Sequence, residues 1–293
     1  MAEPAARRVE VGAGGGAAAY RRTRALSISV EVRRQFSRRG IQLMLVAMAV
    51  LPCLLAGAVS AGKSGVAVNA QLLSDMATSS AANFAVFAIV AGSQFGLVLM
   101  VAYVMGEAVA RDSQWLYLRV LLTVPVPRGQ LLRRKFIACG IVCISGLLVF
   151  ATVSVVIGLV FYGHGPLTPV SGAQVETSGL AWRLAAILVY IGVYLMWIGA
   201  LAIFLSVLAR DNPVAAVGGT VVVTLCSHLF GGLPTLQGLR AILPTRNYDA
   251  WLMLTRTDVD WFGMRWGLFL SLFYTGVFFL LAYVRFTTKD IAK

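Results

Sequence analysis

Phe136–Tyr162 reads FIACGIVCISGLLVFATVSVVIGLVFY, a run of 27 residues without an acidic or basic side chain. At about 1.5 Å of rise per residue, such a run coiled as a helix would exceed the roughly 30 Å hydrocarbon layer of a bilayer. No water reaches that layer, so every backbone N–H and C=O must find its partner within the segment, and a helix satisfies them. This stretch sets the fold class: an all-α, polytopic membrane protein.

Working outward, the same texture recurs. The 293-residue chain is 59% hydrophobic and 13% charged, with a mean hydropathy of +0.81. Soluble domains hold about 45–50% apolar and about 25% charged residues, so the excess needs an apolar solvent. It falls in six blocks, placing transmembrane helices at about 41–61, 82–105, 136–162, 182–209, 214–230 and 262–284. The first block starts too far from Met1, and is too long, for the apolar core of a cleaved signal peptide. The domain plan is therefore a disordered Ala/Gly-rich basic arm over 1–24, an interfacial amphipathic helix over 25–40, a six-span region over 41–284 and a tail over 285–293.

Charge orients the spans. Six spans put both termini on one side. The loops and tails on that side carry nineteen of the 25 basic residues, against six on the other. Basic residues concentrate on the cytoplasmic face, which predicts both termini cytoplasmic. Of the 25 basic residues 21 are Arg, which with heavy Ala, Gly and Val usage points to a GC-rich bacterial genome and so to a bacterial cytoplasmic membrane. The net charge of +13 and the isoelectric point near 10.2 follow, because anionic lipid attracts basic segments. Nucleic-acid binding is the sharper reading of such a charge, but most of the arginines flank spans. Within the arm, Ile28, Val32 and Phe36 share one helical face with Arg33, Arg34 and Arg38 nearby, the pattern of a helix lying in the headgroup plane.

The rare polar residues exclude several chemistries. Gly57–Ser64, GAVSAGKS, fits the phosphate-cradling pattern G-x-x-x-x-G-K-[ST]. It follows an apolar helix rather than a strand, lies at the outer end of the first span, and has no LSGGQ or Mg²⁺-holding acidic motif elsewhere; nucleotide binding is excluded. Cys139 and Cys143 share a helix face, but too few further ligands are near to complete a metal site. None of the twelve acids lies deep in a span, which argues against coupling to protons or sodium. No nucleophile–base grouping suggests a hydrolase. No catalytic residue, cofactor or metal is therefore expected on this chain.

One polar region remains, Gly106–Lys135, GEAVARDSQWLYLRVLLTVPVPRGQLLRRK. Leu118, Leu121 and Leu122 recur at helical spacing beside Arg119, and Pro125 and Pro127 stop the helix. A short charged helix held between two spans suits either docking of a soluble partner or a rest on lipid.

Here the chain resembles the permease subunits of type-2-class ATP-binding-cassette (ABC) exporters, in an actinobacterial and Gram-positive branch. The resemblance rests on Gly106-Glu107, Asp112, Trp115, Leu118, Arg119, Leu121, Leu122, Pro125, Val126, Arg128, Leu131, Leu132 and Lys135. It departs at Leu116-Tyr117, where the family has Gly-Thr. EVRRQFSRRG, LSVLARDNPVAAVGG, LPTRNYDAW and VRFTTKDI are similar to other family segments and keep their order over roughly 30–291.

The resemblance implies an export permease for a hydrophobic or amphiphilic compound such as a drug, antibiotic or lipid-like molecule. It implies pairing with a second permease copy or homologue and with two copies of a cytoplasmic ABC ATPase subunit, which would hold the ATP and Mg²⁺. A coupling helix between spans two and three would then meet the ATPase through Glu107, Asp112, Trp115, Arg119, Pro125, Arg128 and Lys135. A membrane scaffold or sensor that recruits a cytoplasmic partner through 107–135 is the alternative.

Overall fold

The computed structural model describes residues 28–62, 77–114, 128–167, 179–209, 212–232, 238, 242–255 and 261–288. Among these the chain forms α1 (Ile28–Phe36), α2 (Arg39–Gly62), α3 (Ala81–Gln94), α4 (Gly96–Gln114), α5 (Arg128–Tyr162), α6 (Leu180–Leu208), α7 (Pro213–Gly232), a 3-10 segment (Pro244–Thr255) and α8 (Trp261–Thr288). The arm over 1–24, the start of the 25–40 helix and the end of the tail lie outside the described residues, as do Trp115, Arg119 and Pro125.

Five helices, α2, α5, α6, α7 and α8, are long and apolar enough to cross a bilayer. The second predicted span is a bent pair. Its halves α3 and α4 meet at 46°, so the count reaches six when the pair is taken as one span. The break falls at Phe95, which leaves helical geometry at φ −125°, ψ −55°. Apolarity runs straight through this point, so hydropathy alone reads it as one unbroken block. The protein is a multi-pass helical membrane protein.

Local chemistry sets several ends. Ser80 caps α3, its hydroxyl accepting the Asn83 N–H at 3.2 Å. Asn212 Oδ1 accepts the Ala215 N–H at 3.1 Å, and Pro213 opens α7 where a missing N–H costs nothing. After Tyr162, Gly163 takes φ +68°, a left-handed turn that favours glycine, and its carbonyl accepts the Ala81 N–H at 3.0 Å. Ser80 also donates to the Pro166 carbonyl at 3.1 Å, so this turn fastens the start of α3 to the end of α5.

α6 is the axis of the bundle. It packs against α4, α7, α8 and the 3-10 segment, and 67% of its membrane window is buried, against 17% for α2. Trp197 and Tyr194 fill the centre, while Gly199, Ala200 and Ala202 let neighbours approach closely. Gly57–Gly62 forms the last turns of α2, so that part of the GAVSAGKS match is helix rather than a phosphate loop; Lys63 and Ser64 lie outside the described residues.

Candidate functional site at the charged end of the bundle

α1 presents an unexpected face. Ile28, Val32 and Phe36 suggest a helix whose apolar stripe faces lipid, yet Ile28 is exposed and the buried stripe centres on Glu31 and Gln35. Val32 and Phe36 flank that stripe on one side, Arg34 and Arg38 on the other. The helix thus turns its polar stripe, not an apolar one, inward against α5. The physical reason is a set of counter-charges waiting on α4 and α5.

Asp112, near the end of α4, is 6% exposed, and Lys135, in α5, is 1% exposed. Their side chains are directly paired, and Lys135 Nζ also donates to the Ala108 carbonyl at 2.8 Å. Two arginines complete the ring: Arg34 of α1 donates to Asp112 at 2.8 Å, and Arg38, in the link between α1 and α2, donates to its other oxygen at 3.1 Å. Arg34 also bonds Glu31 at 2.9 Å, Gln35 donates to Glu31 at 3.2 Å, and Lys135 lies 3.8 Å from Glu31. Three cations thus surround two carboxylates, one positive charge in excess, with Asp112 and Lys135 closed off from water and the arginines partly open to it. Burying any of these charges alone would cost several kcal/mol, so each depends on the rest.

Other contacts clamp the same end of α4. Ser206 of α6 accepts the Val109 and Ala110 N–H groups at 3.1 and 2.9 Å. Gly106 faces α7 so closely that a methyl there would stand 3.3 Å from the Val217 backbone nitrogen. Glu107, one residue on, accepts from Arg111 at 2.6 Å, a pair within one helix that is partly open to solvent. α4 is therefore held by α1, α5, α6 and α7 immediately before the chain runs into residues 115–127.

Residues 45–292 match the family described as Protein of unknown function (DUF2705). The chain belongs to that family. No curated relative matches it.

Of the predicted coupling residues, Asp112 and Lys135 come together, turned into the protein. Glu107 lies on a separate, more open face of α4. Arg128 supplies the first residue of α5. Glu31, Arg34, Gln35 and Arg38 complete the cluster and are absent from the predicted set. Glu31 offers the available signal: it is the one acid in Ile28–Arg39, four residues before Gln35 and three before Arg34. Chemically the cluster is a lock. Among the described residues no group of three or more His, Cys, Asp or Glu could hold a metal ion. Cys139 and Cys143 are free thiols.

Proposed function

We propose that this protein is the transmembrane permease subunit of a type-2-class ABC exporter, moving a hydrophobic or amphiphilic compound with ATP hydrolysed on a separate cytoplasmic ATPase. The observation that carries the reading is the Asp112–Lys135–Arg34–Arg38 cluster. It roots both sides of the 115–127 segment, Asp112 three residues before it and Lys135 eight residues after it. A push on that segment would reach α4 and α5 together, because their charged ends cannot separate without stranding a buried ion. α1 would travel with them. Rigid-body displacement of packed helices is a known mode of switching. On this reading the charged end is cytoplasmic, Glu107, Trp115, Arg119, Pro125 and Arg128 meet the ATPase, and Asp112 and Lys135 act as positioning residues behind that surface. A second permease copy or homologue would complete the pathway.

The experiment is purification in mild detergent with identification of co-purifying chains, followed by reconstitution with the ATPase found. Arg119→Glu and Glu107→Lys are expected to release the ATPase or abolish substrate-stimulated hydrolysis while the permease still inserts. Breaking a desolvated charged contact with a partner costs about 2–5 kcal/mol. An arginine facing only lipid headgroups contributes about 1 kcal/mol. Equal, mild effects from these two and from Arg134→Glu would leave the segment a lipid anchor and overturn the coupling claim. A co-purifying kinase or regulator in place of an ATPase would make the chain a scaffold or sensor.

A further inference from the structure

Between α4, α5 and α6 lies a cavity of about 380 Å³ whose lining is wholly apolar, running along α5 from Phe136 to Leu148. Its mouth opens sideways from the bundle, since Ile144, Leu148, Val189 and Met196 are all exposed there. Two glycines keep it open. A methyl on Gly192 would find its nearest neighbour, Leu147, at 3.7 Å, and one on Gly140 would meet only Met105, at 3.9 Å. Twelve helical steps make the groove roughly 18 Å long, close to the roughly 15 Å depth of one leaflet.

The groove continues into a charge. On a helix of 3.6 residues per turn, Arg133 falls on the stripe that carries Phe136, Gly140, Ile144 and Leu147, while Lys135 points to the other side, into the ion cluster. Arg133 is exposed at the charged end. Tyr283 of α8 packs over Gly129, about one turn earlier on the same stripe, and Phe279 lies 5.1 Å from Phe136, centroid to centroid. One face of α5 therefore offers a cation beside a tyrosine at the membrane boundary, then an apolar slot of leaflet depth. That sequence of chemistries matches an anionic phospholipid, phosphate outward and one acyl chain inward.

We propose that this groove is a binding site for one anionic phospholipid of the leaflet at the charged end, with its phosphate on Arg133 and an acyl chain between α5 and α6. The proposal needs only the bilayer, and stands or falls separately from the transport reading. The full chain, delipidated in mild detergent, is titrated with phosphatidylglycerol or phosphatidylcholine, and bound lipid is counted by native mass spectrometry. The parent protein is expected to retain one phosphatidylglycerol in preference to phosphatidylcholine. Arg133→Gln should cut that preference about fivefold, the loss of one basic residue's attraction. Gly192→Leu should reduce retention of both lipids. Val189→Trp, at the exposed mouth, gives a second block that does not test helix packing. A phosphatidylglycerol with a photoreactive group on its chain should label residues 136–148 and 188–196. Unchanged retention in all three variants, or label spread evenly over the exposed faces of α2 and α8, would overturn the site. So would efficient crosslinking of two chains through Val189→Cys, which would put a second copy over the groove.

Discussion

At the charged end of the bundle, Arg34, Arg38 and Lys135 close on Asp112, whereas the opposite half is held mostly by neutral groups, with Arg183 bonding the Leu254 carbonyl at 2.7 Å as the charged exception. There Tyr248 of the 3-10 segment is paired with Ser93, next to the bend at Phe95, and Tyr190 donates to the Asn247 carbonyl at 2.6 Å. Asn247 donates to the Gly263 carbonyl at 2.7 Å, and Ser227 and Thr245 hydroxyls lie 3.0 Å apart. Tyr194 and His228 set their rings edge-on to Tyr248. Charge-assisted bonds are roughly twice as strong as neutral ones, and a buried ion has no tolerable unpaired state. Hydroxyls and amides can exchange partners at a smaller cost. The bonds of the charged end therefore hold or fail together, while those of the opposite half can be exchanged singly.

The largest test of that contrast is Asp112→Asn. It strands Lys135 and loosens both arginines, so unfolding in detergent should become easier by about 3–5 kcal/mol. Adding Lys135→Met should recover part of the loss, and strict additivity in that double-mutant cycle would refute the lock. In the opposite half the comparable weak point is steric. Gly158→Ala would put a methyl 2.8 Å from the Ala81 carbonyl oxygen and 2.9 Å from its Cα, which should destabilise by about 1–3 kcal/mol. Gly276→Ala, in open space on α8, is its control, with a gain of about 0.5–1 kcal/mol in a denaturation series.

Tyr248→Phe should cost less, about 0.5–1.5 kcal/mol, because Ser93 keeps the Val90 carbonyl at 3.2 Å as an acceptor. A loss as large as that of Asp112→Asn would erase the distinction between the two halves. Smallest of all should be Arg111→Ala. Its partner Glu107 lies on the same helix, and such pairs contribute about 0.3–0.5 kcal/mol. A stability change near zero at Glu107 and Arg111, beside a large loss of ATPase coupling in Glu107→Lys, would separate a docking surface from a structural one.

Much of this was legible from one dimension. The apolar blocks depend on runs of neighbouring side chains, although the helices carrying two of them run on to Gln114 and begin back at Arg128, past the ends of the apolar runs. Asp112 and Lys135 stood out as rare polar residues flanking a proline-stopped helix. Their burial did not. Nine arginines precede the first span, and nothing local distinguishes Arg34 and Arg38 from the other seven. The bend at Phe95 was equally hidden, because apolarity is uninterrupted there while the backbone is not.

The sequence by itself determined that this chain has several helices suited to a bilayer and which end is rich in cations. These are properties of length and composition, insensitive to how helices are turned. Only the tertiary structure decided that α1 buries its polar stripe, that Asp112 meets residues 74 and 78 positions away, and that Arg133 and Lys135 face opposite ways. Those facts hang on helix rotation and on which helices become neighbours. A hundred degrees per residue separates an exposed cation from a buried one two positions along.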